Sequence, residues 1–258
     1  DLAMFNNRFE FTAEWYKNRS EDLLYGVPVP TQTGVANATV TMNAASMDNS
    51  GFEFSATYRN HDHPFKYDVS ANMSTLKNKV TSLGFGTKSY ITGAYATYVG
   101  QEIGQFYGWV YEGIARTQDD LNNHATQQGA NVGDCLYKDI SGPDGTPDGV
   151  IDAYDQTVLG SGLPKVNFGL SAHMEYKNLS ISTYGVLNYH VSDDIYNSLN
   201  SCYGWGNKDV AMADANRFSA DGSTYLSSVP RTYAANKATL AWNDLFSSRK
   251  IQNAAYWK

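Results

Sequence analysis

Residues Val166 to Tyr176 read VNFGLSAHMEY, and the alternation within them decides the fold. Val166, Phe168, Leu170, Ala172, Met174 and Tyr176 fall on one side of an extended chain, with Asn167, Gly169, Ser171, His173 and Glu175 on the other. Successive strand residues point to opposite faces, so this stretch is a strand with one greasy and one polar face. The pattern recurs upstream. Phe9, Phe11, Ala13 and Trp15 oppose Arg8, Glu10, Thr12 and Glu14, while Phe52, Phe54, Ala56 and Tyr58 oppose Glu53, Ser55 and Thr57. Phe65, Tyr67, Val69, Ala71 and Met73 oppose Lys66, Asp68, Ser70 and Asn72.

Strands of this length, near ten residues, exceed the usual five or six and match those that cross a membrane at a tilt. The expected fold is therefore all-β and antiparallel, a transmembrane barrel wall in preference to a β-sandwich, which alternates as well. Connections support a barrel: NRSED, NHDHP and YKNLS are short, whereas Gly84 to Gly133 and Val191 to Thr239 are long. Short turns on one side and long loops on the other are characteristic of outer-membrane barrels. Within the first long loop, Thr117 followed by Asp119 and Asp120 predicts a capped short helix.

Bulk composition agrees without deciding. The 258 residues are 42% hydrophobic with mean hydropathy −0.44, and no apolar run is long enough for a membrane helix. Nineteen Tyr and five Trp suit either the aromatic girdles of a barrel or a carbohydrate-binding sandwich. A net charge of −7 with scattered Lys and Arg argues against nucleic acid. Cys135 and Cys202 leave a disulfide open. The four N-glycosylation sequons, at Asn18, Asn37, Asn72 and Asn178, read as coincidences, two of them lying in or beside the alternating strands.

Two segments invite a chemical reading. Asp139 to Asp155, DISGPDGTPDGVIDAYD, places Asp144, Thr146, Asp148, Asp152 and Asp155 at positions 1, 3, 5, 9 and 12 of a calcium loop. Gly149 takes the sharp-turn position and the Val150 carbonyl position 7. Asp replaces the bidentate Glu at position 12, and Pro147 interrupts the loop, so a cluster of metal-free Asp and Gly turns is an equal alternative. The second segment, GQEIGQFYGWVYEG from Gly100 to Gly113, interleaves Gly with Phe106, Tyr107, Trp109 and Tyr111. Such alternation fits a flat stacking surface for a ligand, or a girdle strand approached closely by neighbouring backbone. No catalytic motif is present: GxSxG, HExxH and a phosphate loop are all missing, and His61, His63 and His173 read as turn or interior residues.

IGQFYGWVYEGI with the following TQDDLNNH, and GDCLYKDISGPDGTPDGVIDAYDQTVLGSGLPKVNFGLS, together resemble the SusC/RagA-type TonB-dependent transporters of the Bacteroidetes outer membrane. FNNRFEFTAEWYKNRSEDLL resembles a strand-turn-strand of those barrels, and SSRKIQNAAYWK a segment just before their last strands. The resemblance implies a 22-stranded barrel, of which residues 1–258 would be one portion, with the plug domain and final strands absent from it. It implies import of an oligosaccharide or oligopeptide, driven through TonB and assisted by a SusD-like surface lipoprotein, with no enzymatic step and no required cofactor. Tyr107, Trp109, Tyr203 and Trp205 are the expected substrate contacts. A secreted calcium-dependent carbohydrate-binding or adhesive β-sandwich, and a passive porin, are the alternatives.

Overall fold

The computed structural model describes residues 1–29, 32, 34, 39–189, 192–194, 242, 245–253 and 256–257. Its first strands are β1 (Leu2–Met4), β2 (Phe9–Pro28), β3 (Thr39–Asn60), β4 (Phe65–Thr75) and β5 (Lys77–Ser82). A set of short elements follows: β6 (Ser89–Thr92), β7 (Tyr95–Tyr98), β8 (Gln105–Trp109), β9 (Tyr111–Ile114), the helix α1 (Gln118–Asn122), β10 (Cys135–Tyr137) and β11 (Gln156–Gly160). Long strands return with β12 (Val166–Tyr176) and β13 (Leu179–Tyr189), and β14 (Ser192–Asp194), β15 (Ile251–Asn253) and β16 (Tyr256–Trp257) close the order.

One antiparallel sheet of eight strands forms a wall in the order β1-β2-β3-β4-β12-β13-β16, with β5 continuing beside β3. Its register aligns the apolar faces predicted from sequence. Ala13 lies opposite Phe54, Phe54 opposite Met73, and Met73 opposite Phe168. At the turn end, Phe65, Tyr176 and Leu179 form one row; at the other, Trp15 pairs with Phe52, and Thr75 with Val166. Between these rows β12 advances about 33 Å, at roughly 3.3 Å per residue; a tilt near 40° projects that to about 25 Å, the height of an outer-membrane barrel's apolar band.

Nothing among the described residues covers this face. Trp15, Phe52, Met174, Leu179 and Ile181 are all exposed, and the two buried clusters lie elsewhere. A water-soluble sandwich would have buried them against a second sheet. Aromatic neighbours on the face contact one another, Phe11 stacked on Phe54 and Phe65 tilted against Tyr67.

One expected turn is absent. NRSED does not end a strand, because β2 runs through it, paired with β3 from Phe9 to Pro28. The turn-forming residues make a bulge between Ser20 and Leu23 instead, with Asp22 at φ 55°. A bulge absorbs an Asp in left-handed backbone without breaking the ladder. The true tight turn lies earlier, at Phe5, Asn6 and Asn7, all with positive φ. Another close approach fixes Gly51: a Cβ there would overlap the Thr75 carbonyl and the Tyr16 ring, whose hydroxyl donates to that carbonyl at 3.2 Å.

Beyond the wall, β6–β11 and residues 245–249 build a module with its own core of Trp109, Cys135, Tyr137, Ile151 and Trp242. The predicted helix is there, with Thr117 and Asp120 exchanging hydrogen bonds in a capping box.

Candidate functional site

The wall's polar face and the adjoining module carry the polar and aromatic groups that a ligand could meet, and the sequence builds them differently. On the polar face, register brings opposite charges together near the short turns. Arg59 Nη1 lies 2.7 Å from Glu10 Oε1, His61 Nε2 2.8 Å from Asp68 Oδ1, and Lys66 Nζ 3.6 Å from Glu175 Oε1. Arg8 pairs with Asp62 in the same region. Exposed pairs of this kind are screened by solvent, so they set register more than stability. His173, expected as an interior residue, faces this side and bonds through Nδ1 to Ser182 Oγ at 2.8 Å.

Farther up the same face the charges no longer cancel. Glu14 and Glu53 are direct cross-strand partners beside a recess of about 300 Å³ lined also by Thr12, Ser55, Asn72 and Ser74. Among the described residues neither carboxylate has an ion-pair partner, so the recess is locally anionic. Tyr184, 72% exposed, stands on this face through its pairing with Ser171. Extending the two-residue alternation into β13 from Leu179 would have found it.

The four expected substrate contacts separate. Tyr107 is half-buried beside Tyr98, ring centroids 6.3 Å apart, and burial with the Tyr98 hydroxyl pushes its phenol up to about 12. A neutral phenol at a module surface can stack on and hydrogen-bond a polar solute. Trp109 is not available: it is 9% exposed, its ring packs on Tyr137, and its Nε1 donates to the Asp152 carbonyl at 2.9 Å. Tyr203 and Trp205 lie outside the described residues, as does Cys202.

The glycines around Trp109 serve a backbone rather than a ligand. Trp109 N–H donates to the Phe246 carbonyl at 2.9 Å, and a Cβ on Gly108 would overlap that same carbonyl. Ser248 Oγ accepts from Tyr111 N–H at 2.9 Å, and the Tyr137 hydroxyl donates to the Trp242 carbonyl. A segment some 140 residues downstream is thereby strapped across β8.

The acidic loop does not assemble the expected calcium donors. Asp155 is fully buried; its Oδ1 accepts from Ile140 N–H at 2.8 Å and Ser141 N–H at 3.1 Å, and its Oδ2 from Asp152 N–H at 2.8 Å. Asp152 accepts from Tyr154 N–H, Asp148 from Val150 N–H, and Asp139 from Gly149 N–H. Asp144 and Thr146 are exposed, and among the described residues no three His, Cys, Asp or Glu converge as metal ligands. Asp139, Asp148, Asp152 and Asp155 each accept at least one backbone amide, the arrangement of Asx turns and caps. The expected donors Asp144, Thr146, Asp148, Val150, Asp152 and Asp155 are thus spread between exposed turns and the buried Asp155 in this arrangement, with no three of the carboxylates drawn together.

No family model matches the chain. Sequence relatives are nevertheless clear. The chain is 29% identical over 195 residues to TonB-dependent receptor P3 of Formosa agariphila, covering 71% of the chain and 19% of the relative. It is 30% identical over 192 residues to receptor P26 of the same organism, again 71% and 19%. TonB-dependent receptor SusC of Bacteroides thetaiotaomicron is 28% identical over 196 residues, 70% of this chain and 18% of SusC. In fold, the RagAB peptide transporter superposes at a TM-score of 0.71 with 21% identity, over 99% of this chain and 26% of that one. Sequence and fold thus agree with the resemblance carried by the motifs, and the chain is a relative of the TonB-dependent receptors that spans about a fifth of their length.

Proposed function

We propose that this chain forms one sector of an outer-membrane barrel wall, with the module over its loop end, in a SusC/RagA-type importer. The observation that carries this reading is the uncovered apolar face, six rows deep on β12 and four on β2 and β3, which register aligns across β2, β3, β4, β12 and β13. Lipid is the solvent such a face requires. Import is energised through TonB, assisted by a SusD-like surface lipoprotein, and leaves the solute chemically unchanged. The solute is an oligosaccharide or oligopeptide; the half-buried Tyr107, the exposed Tyr184 and the anionic recess at Glu14 and Glu53 suit a polar, extended molecule able to stack and to donate hydrogen bonds.

Uptake measurements test this directly. Cells carrying the full-length protein should accumulate a labelled oligosaccharide or oligopeptide pool, and deletion of this protein, or of TonB, should abolish it. Uptake that persists without TonB would favour a passive pore and overturn the proposal.

A further inference from the structure

Beyond the apolar band, the outward face changes within one row to a cluster of cations. The row after Trp15, Phe52 and Thr75 is Lys17, Ser50 and Lys77; the next on the same face is Arg19, Asp48 and Lys79. Parity places all of them on the lipid-facing side, since the register between β3 and β4 continues unshifted into β5. Lys17, Lys77 and Lys79 are exposed, and none forms an ion pair among the described residues. Arg19 is already engaged by Glu21 at 2.8 Å.

On the opposite face at the same height these strands carry amides in place of cations: Asn18, Asn49 and Asn78 are register partners there, and Asn78 is buried, donating to Asn49 Oδ1 at 2.7 Å. The cations are therefore a one-sided outward feature, not a solvated rim. Adjacent strands lie about 4.8 Å apart and residues about 3.3 Å along each, so the three free ammonium groups spring from an area roughly 10 Å by 7 Å. That is the footprint of one headgroup carrying one or two phosphates.

We propose that Lys17, Lys77 and Lys79 form a docking site for the phosphorylated glycolipid of the outer leaflet, lipid A. The argument rests on the barrel reading above, because only a lipid-facing wall puts these residues at a headgroup. Charge complementarity selects phosphate, and continuity with the apolar band selects a lipid, whose acyl chains lie along the Phe54 and Met73 row while its phosphates meet the lysines. Position selects the leaflet: the cluster lies at the end of the wall bearing the module and the long connections, away from the tight turns at Asn60–Phe65 and Lys177–Asn178.

The full-length transporter, purified in mild detergent, is titrated with bis-phosphorylated lipid A and with the same lipid after removal of its phosphates, and bound adducts are counted by native mass spectrometry. Wild type should prefer the phosphorylated lipid. Lys17→Gln/Lys77→Gln/Lys79→Gln should lose roughly 100-fold in apparent affinity for it, and the triple Arg variant should recover. Lys177→Gln, at the far end of the wall, should change nothing. Heat-modified gel mobility checks that each variant is folded. Equal binding of the two lipids by wild type, or undiminished binding by the triple Gln variant, would overturn the site, as would a protein rather than lipid A held by the lysines. Failure of the barrel reading looks different: the protein would leave washed membranes without detergent.

Discussion

The wall and the module share one chain but fold against different solvents. In the wall, Phe52 and Trp15 are at least half exposed and stability resides in an unbroken ladder; in the module, Trp109 and Trp242 are below a tenth exposed and surround the buried Tyr137. The same residue types thus mark opposite situations. An aromatic on the apolar face of a long alternating strand is left exposed, whereas one flanked by glycines in short strands is a core residue held by chain from elsewhere.

The largest expected effect breaks the module and leaves the wall. Trp109→Ala removes the ring packed on Tyr137 and the donor to Asp152. Truncating a buried aromatic costs about 3–5 kcal/mol, which exceeds what a module of six short strands can spare. Limited proteolysis of the full-length protein should show cleavage within residues 100–160 while the barrel keeps its heat-modified gel mobility. If instead the whole barrel fails to assemble, module and wall are one cooperative unit and the contrast drawn above is wrong.

A smaller effect should be confined to the wall and should depend on face. Ala56 sits in the middle of the apolar band, opposite Phe11 and Ala71, while Thr57 beside it points to the polar face and meets Ser70 Oγ at 3.0 Å. Ala56→Arg should cost about 2–4 kcal/mol, the penalty for Arg at the bilayer midplane, and Thr57→Arg much less. Equilibrium unfolding from lipid bilayers measures both. Equal costs would mean that the apolar face does not meet hydrocarbon.

How far this was legible from sequence follows the same division. Val166–Tyr176 and its fellow strands could be read because period two is local and both faces are pure. The bulge at Asp22 was not, since Asn18, Ser20 and Asp22 are turn formers and only the continued pairing of Leu24 to Pro28 with β3 shows that the strand goes on. Trp109 misled for a related reason. The glycine beside it is required by the Phe246 carbonyl, a partner far along the chain that no local pattern announces.

Asp155 is the sharpest case, and the smallest expected effect tests it. As position 12 of a calcium loop it should face an ion; as found, it is fully buried and accepts three backbone N–H groups from both arms of the loop. Spacing alone does not separate these roles, because a carboxylate satisfied by amides and one satisfied by a cation occupy the same kind of turn. Energetics does. Asp155→Ala leaves three amides without their acceptor and should cost about 1–3 kcal/mol regardless of calcium. Thermal unfolding with EGTA and with excess calcium should give the same midpoint for the native protein and the same lowered one for the variant. A calcium-dependent midpoint that disappears in Asp155→Ala would return the loop to the metal-binding role and show that the amide contacts stand in for an ion.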